Sequence, residues 1–209
     1  MKKITRRRLF TLSAGALSLA AMENSWAAAT PDAAPARIQA FYDVLLNSMK
    51  QAKDLGVSGR FQKLAPAVHE TFDMQTMTRV ACGPGWSKMS ADQQQALVEA
   101  FERMTAATYA NQFNDYSGQR FVVDPNTTAR SADVIVHSQL MPANGEPVTF
   151  NYLMRDKGSD WKVEDIYLDG TISQLAVRRS EFSAILNSDG PDGLLSKLKS
   201  QGDGLLKES

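Results

Sequence analysis

One cysteine and two histidines leave this 209-residue chain little reactive chemistry. Cys82 has no second cysteine to pair with, so packing alone must hold the fold. A lone thiol becomes a nucleophile only beside an activating base, and no sequence feature sets one there. His69 and His137 have no metal-ligand spacing to each other or to the cysteine. There is no Gly-rich phosphate loop; Gly83-Pro84-Gly85 reads as a turn. There is no Gly-x-Ser-x-Gly elbow. The carboxylates are scattered over polar faces, and His137 falls on the polar side of a strand pattern, as a solvated histidine would. Past the N-terminus no run is apolar enough to span a bilayer. Neither an internal repeat nor a domain linker is visible. These absences weaken an enzymatic reading without excluding one.

The N-terminus is the first positive feature. Lys2, Lys3, Arg6, Arg7 and Arg8 precede a short apolar stretch from Leu9 to Met22, followed by Ser25-Trp26-Ala27. Basic start, short apolar run and small-residue site are the parts of a cleavable secretory signal, here residues 1–27. Thr5-Arg6-Arg7-Arg8-Leu9-Phe10 resembles a twin-arginine export signal, although a plain secretory signal also carries arginines. Either route leads to the periplasm of a Gram-negative bacterium. The full chain balances 23 basic against 23 acidic residues; the signal holds five of the former and Glu23, leaving 18 against 22 and a net charge of −4. An acidic mature chain is a poor nucleic-acid binder, which needs clustered Lys and Arg.

After an Ala- and Pro-rich leader at 28–36, one domain over 37–209 is expected. Ile38, Phe41, Tyr42, Leu45 and Met49 share a helix face, and Gly56 ends that helix. A second helix covers about Ser58 to Glu70, and Asp73 caps a third carrying Met74, Met77 and Val80. Ser90 and Gln93 have capping-box spacing at the start of a long helix that buries Leu97, Val98, Phe101 and Met104. Tyr109 and Phe113 extend that face. The period then becomes two. Four strands follow, from Phe121, Val134, Val148 and Trp161, with Asn144-Gly145 predicting a tight hairpin. Thr171 and Gln174 suggest a second capping box, opening a helix that buries Ile172, Leu175, Phe182, Ile185 and Leu186. A last helix carries Leu194, Leu195 and Leu198. The pattern is α+β: a four-stranded antiparallel meander with helices on one face.

Two features stand out. Methionine occupies many apolar positions (Met49, Met74, Met77, Met104, Met141, Met154), which suits either an ordinary core or a cavity for a flexible apolar ligand. Arg179 falls on an apolar helical stripe between Leu175 and Phe182. A cation there needs a partner: Asp165, or an anionic group at a pocket mouth.

Phe72-Asp73-Met74, Met77, Arg79, Gly83, Trp86, Ser90-x-x-Gln93 and Phe101 to Tyr109 together resemble the MlaC-like proteins, the toluene-tolerance auxiliary family. Trp161-Lys162-Val163-x-Asp165, Asp169-Gly170 and Arg179-x-x-Phe182 continue the likeness across nearly the whole mature chain, and it reaches the hopanoid-associated HpnM branch. Family members often carry an aromatic just before the arginine, where this chain has Arg178.

The resemblance implies a soluble periplasmic lipid carrier, with no enzymatic activity, cofactor or metal. Such a carrier exchanges phospholipid between an inner-membrane ABC transporter complex and an outer-membrane lipoprotein–porin complex, keeping outer-membrane lipid asymmetric. A hopanoid is the alternative ligand. On that reading Phe101, Met104, Tyr109, Phe150, Tyr152 and Met154 are candidate lining of a tail cavity, with Arg179 near its mouth. Two rivals stay open: an enzyme with a polar pocket around His137 and paired carboxylates, and an interaction module with a solid core.

Overall fold

Helix α1 (Ala33–Lys50) turns Ile38, Phe41, Tyr42, Leu45 and Met49 into the core at the predicted spacing. A computed structural model describes residues 33–158 and 160–207; the signal at 1–27 and the first part of the expected leader lie outside them. Residues 33–36, expected in the leader, belong to α1, which buries Ala34 and Pro35. Proline fits a first helical turn, where its missing N–H would have had no partner.

Helix α2 (Ala52–Thr71) is interrupted at Gly56, where φ is 58° and ψ −179°. That conformation favours glycine, so a break is present at Gly56, but the first helix, expected to run to it, already ends at Lys50. Buried Arg60 ties α2 to the helix that holds Ala110 and bridges its own Gly56 break: its Nε donates to the Ala110 carbonyl at 2.7 Å and one terminal nitrogen to the carbonyl of Ala52, the first residue of α2, at 2.9 Å. Helix α3 (Met74–Cys82) is capped by Asp73, as predicted, and Gly83–Lys88 forms a short 3-10 helix rather than a bare turn. Helix α4 (Ala91–Gln112) starts in the predicted capping box, with both Ser90–Gln93 bonds at 3.2 Å.

Strands β1 (Arg120–Arg130), β2 (Asp133–Met141), β3 (Val148–Asp156) and β4 (Trp161–Leu168) form the antiparallel meander. Pro125 is tolerated because β1 is an edge strand and its register shifts between Val123 and Thr127. The Asn144-Gly145 hairpin is wider than predicted. Pairing stops at Leu140–Val148, because Pro142 and Pro147 flank the turn and neither can donate to the ladder.

A fifth strand, β5 (Ile172–Ser173), pairs with β4 and closes the sheet order β1-β2-β3-β4-β5. It corrects the second capping box. Because Ile172 and Ser173 are drawn into the sheet, α5 (Gln174–Leu205) starts later and Ser173 is its cap, accepting from the Ala176 N–H at 2.9 Å. Ile172, expected to be buried, is 49% exposed. The two predicted C-terminal helices form one element with a break at Gly190 (φ 69°).

The helices cover one sheet face: α1 packs on β1, β2 and β4, and α2, α3 and α5 meet β4. That face carries buried Val134, Val136, Ser138, Tyr152, Met154, Trp161 and Val163. On the other face His137 bridges Thr128 (2.9 Å) and Asn151 (3.1 Å), a polar surface position as predicted.

Asp73 joins helix and sheet. Its carboxylate accepts from the Thr76 N–H and hydroxyl, each at 2.8 Å, and pairs with Lys157 at 2.7 Å. Burial alone pushes this carboxyl up, but Lys157 and Thr76 outweigh it and hold it below its ordinary value of 3.8. The stability it supplies is therefore present above that value and lost as pH falls through the lower, folded-state value. Asp73→Ala should cost about 1–2 kcal/mol at pH 7. Urea midpoints of the variant and wild type should then converge in acid; an equal gap in acid would show that the carboxylate charge is not what stabilises this cap.

Candidate functional site

The helix layer does not close fully onto the sheet. A cavity of about 270 Å³ remains between them. Tyr42 and Leu45 of α1 and Met77 of α3 form part of its wall; Phe121, Phe150, Tyr152, Ile166 and Leu168 of the sheet form the other side. Helix α4 contributes one continuous face, Phe101, Thr105, Thr108, Tyr109 and Gln112, with Phe113 just beyond its end. The start of α5 supplies Gln174, Leu175 and Arg178. Among the described residues of this lining, Arg178 alone is charged.

Aromatic packing sets the shape. Tyr42 stacks on Phe121 with centroids 4.3 Å apart, and Tyr109 stacks on Phe113 at 5.8 Å. Phe41 meets both Phe72 and Tyr109 edge-on, at 5.3 and 5.1 Å. Flat rings in offset and edge contacts keep their relative angles better than flexible chains do.

Two wall hydroxyls, of Tyr42 and Tyr152, and the buried Ser138 hydroxyl form one chain. Ser138 Oγ donates its one proton to the Phe150 carbonyl at 2.7 Å. The Tyr42 hydroxyl, 2.7 Å from Ser138 Oγ, must then donate to it, and Tyr152, 2.9 Å away, must donate to Tyr42. Burial pushes the Tyr42 phenol up to about 12, despite the lowering effect of its bonds to Ser138 and Tyr152. Burial raises Tyr109 and Tyr152 as well, with the neighbouring Tyr42 adding to it. The phenols are neutral at any physiological pH. The wall offers no acid–base pair and no activated nucleophile; buried Cys82 lies outside it, its thiol pushed up to about 11 by burial.

A second, more open cleft of about 770 Å³ lies where α2, α3 and α4 meet the β3–β4 turn. Its rim carries the His69–Glu102 hydrogen bond at 3.0 Å and the Lys157–Asp73 ion pair at 2.7 Å. No group of three or more His, Cys, Asp or Glu is placed to hold a metal among the described residues. None of the described helices is long and apolar enough to cross a membrane.

A model of the MlaC protein family matches residues 39–200, most of the chain. The chain belongs to the MlaC family. It is 26% identical over 105 residues to the toluene tolerance protein ttg2D of Pseudomonas putida, an alignment spanning about half of each protein (50% of this chain, 48% of that one). Its fold matches a phospholipid-binding protein from Ralstonia solanacearum, solved in complex with a phospholipid. That match has a TM-score of 0.71 at 25% identity, covering 82% of this chain and 98% of the other.

Within this MlaC-family fold the predicted residues divide. Phe101, Tyr109, Phe150 and Tyr152 come together around the cavity. Met154 is fully buried in the core and does not line it. Met104 is also core, its far side closing a neighbouring cleft against the C-terminal part of α5. Arg179 is exposed beside Gly83 and is not paired with Asp165. The reason is local. Asp165 is used up in accepting from Ile166 N–H (2.8 Å), Ser173 Oγ (2.6 Å) and Leu175 N–H (3.0 Å). Leu175 and Phe182 face inward as expected, and the two arginines flank that stripe: Arg178 lies on the cavity side and Arg179 on the side of Gly83.

Thr105, Thr108 and Gln112 were absent from the predicted lining although they continue the Phe101 stripe at helical spacing. A search for apolar types alone passes over them. Tyr42 and Phe121 were legible as inward-facing but not as cavity wall.

The directed hydroxyl chain makes a ranking. Ser138→Ala leaves the buried Tyr42 donor without its acceptor and should cost about 1–3 kcal/mol. Tyr152→Phe removes only the terminal donor and should cost less, about 0.5–1.5 kcal/mol. Urea denaturation of both variants tests the order; the reverse ranking would mean that the chain runs the other way.

Proposed function

We propose that this protein is a periplasmic phospholipid carrier whose cavity holds acyl chains. The observation that carries the reading is an apolar cavity between sheet and helices, walled by neutral aromatic and aliphatic side chains and carrying one charge. The Ralstonia solanacearum neighbour with the same fold, in complex with a phospholipid, supports it. The export signal expected at residues 1–27 supports a periplasmic location. On this reading the protein is not an enzyme. It moves lipid between an inner-membrane ABC transporter complex and an outer-membrane lipoprotein–porin complex, and so maintains outer-membrane lipid asymmetry.

The energetics explain why a carrier is needed. Two acyl chains hold roughly thirty CH₂ groups worth ~0.8 kcal/mol each, so bare passage through water costs more than ~20 kcal/mol. A dry wall of Phe, Tyr, Leu and Ile removes most of that barrier. At about 270 Å³ the cavity is smaller than the general range of about 300–1,000 Å³ for small-molecule sites, so a two-chain lipid must widen it. Half-buried Phe113, Phe121 and Phe150 are the side chains with room to move.

Native mass spectrometry of the mature protein, purified from its own periplasm, should show about one bound phospholipid. A bound hopanoid would place the ligand in the alternative class. Protein that stays empty even after exposure to lipid would refute the carrier reading. Thr105→Trp fills the cavity from a half-buried wall position and should strip the bound lipid with far-UV circular dichroism unchanged; full occupancy in the variant would put the lipid elsewhere. Because the wall phenols stay neutral, retention should be flat between about pH 5 and 9. A step in that interval would reveal a titrating group in contact with the ligand.

A further inference from the structure

Arg178 stands where two spaces meet. It lines the tail cavity, and it also lines an adjoining cleft of about 410 Å³ between α4 and the C-terminal half of α5. Thr108 is shared in the same way. The rest of the cleft is formed by Met104, Gln201, Gly204 and Leu205. An apolar cavity, a cation at its edge and a more open cleft with amide and hydroxyl groups follow one another in the order that the parts of a phospholipid would require.

The guanidinium is held loosely. Its side chain is 34% exposed, and its hydrogen-bond partner is Glu181, one helical turn along, at 2.7 Å through a single nitrogen. Exposed pairs of this kind are weak, and a guanidinium can offer two parallel N–H donors to a phosphate. Thr108 donates its proton to the Met104 carbonyl at 2.8 Å, so its oxygen remains available only as an acceptor. The Gln201 side chain can donate or accept. Arg178 is therefore the group here that favours an anion.

Resting on the phospholipid-carrier reading, we infer that Arg178 and the adjoining cleft form a site for the lipid's phosphodiester, with Glu181 as the carboxylate it displaces. Glu181 occupies the guanidinium when the cavity is empty. The incoming phosphate takes its place, and the rest of the headgroup enters the cleft beside Gln201. Arg178 is thus a specificity residue that separates phospholipid from uncharged diacyl lipid.

The test is competition of two lipids with identical oleoyl chains, phosphatidylglycerol and diacylglycerol, against a fluorescent diacyl probe on the full mature protein at low salt. Wild type should prefer phosphatidylglycerol by about tenfold, the size of effect a charge-assisted hydrogen bond gives at a partly exposed site. Arg178→Gln should bring the ratio close to one, Arg178→Lys should keep an intermediate ratio, and Glu181→Gln should raise it several-fold. Raising salt should shrink the preference. Equal affinity of wild type for both lipids overturns the site and leaves the carrier standing. Failure of wild type to bind either lipid overturns the carrier and the site together. Inorganic phosphate that abolishes the preference at micromolar concentration would show a free-anion site instead and overturn the headgroup assignment.

Discussion

The Asp165 carboxylate fixes the part of the molecule on which the cavity depends. It accepts from the backbone of β4 at Ile166, from the Ser173 hydroxyl of β5 and from the first turn of α5 at Leu175. Three charge-assisted bonds to one buried group lock the exit of the sheet to the entry of the last helix. That lock sets which residues of α5 face inward. Gln174, Leu175 and Arg178 of that first turn and the next border the cavity.

The opposite wall depends on a neutral counterpart. Tyr42 on α1 is tied to β2 through Ser138 and to β3 through Tyr152, so the first helix is held to the sheet by hydroxyls rather than by filling the space between them. Polar groups in an apolar wall are tolerable only when saturated, and this chain ends on a backbone carbonyl. Unfilled space in a protein interior costs stability in proportion to its volume. A ligand that fills it returns that stability, which couples occupancy to the robustness of the fold.

Much of this was legible in the residues. The stripes of α1 and α4, the Asp73 and Ser90 caps, the meander and its apolar face all follow from local periodicity and capping chemistry. The family likeness is a separate signal, a resemblance carried by many dispersed residues from Phe72 to Phe182. What was not legible is tertiary. Whether Met154 lines a cavity or sits in solid core depends on the height of the helix above it, which no periodicity encodes. Arg178 and Arg179 flank the buried Leu175–Phe182 stripe, and only tertiary packing decides which of them meets the cavity. Helical phase is about 100° per residue, so two successive residues at the edges of one stripe meet different surroundings. Thr105, Thr108 and Gln112 show a different limit: a wall residue near a pocket mouth can be polar, and a pattern of apolar types is blind to it.

The most direct test of where the tails lie is photo-crosslinking from inside the wall. p-Benzoylphenylalanine at Phe113, in the cavity, and separately at Phe61, in the open cleft beside α2, would be illuminated in protein isolated with its native cargo. Mass spectrometry should find a lipid-sized adduct at position 113 and none at 61. An adduct at 61 with none at 113 would contradict the account and move the ligand to the other side of the helix layer.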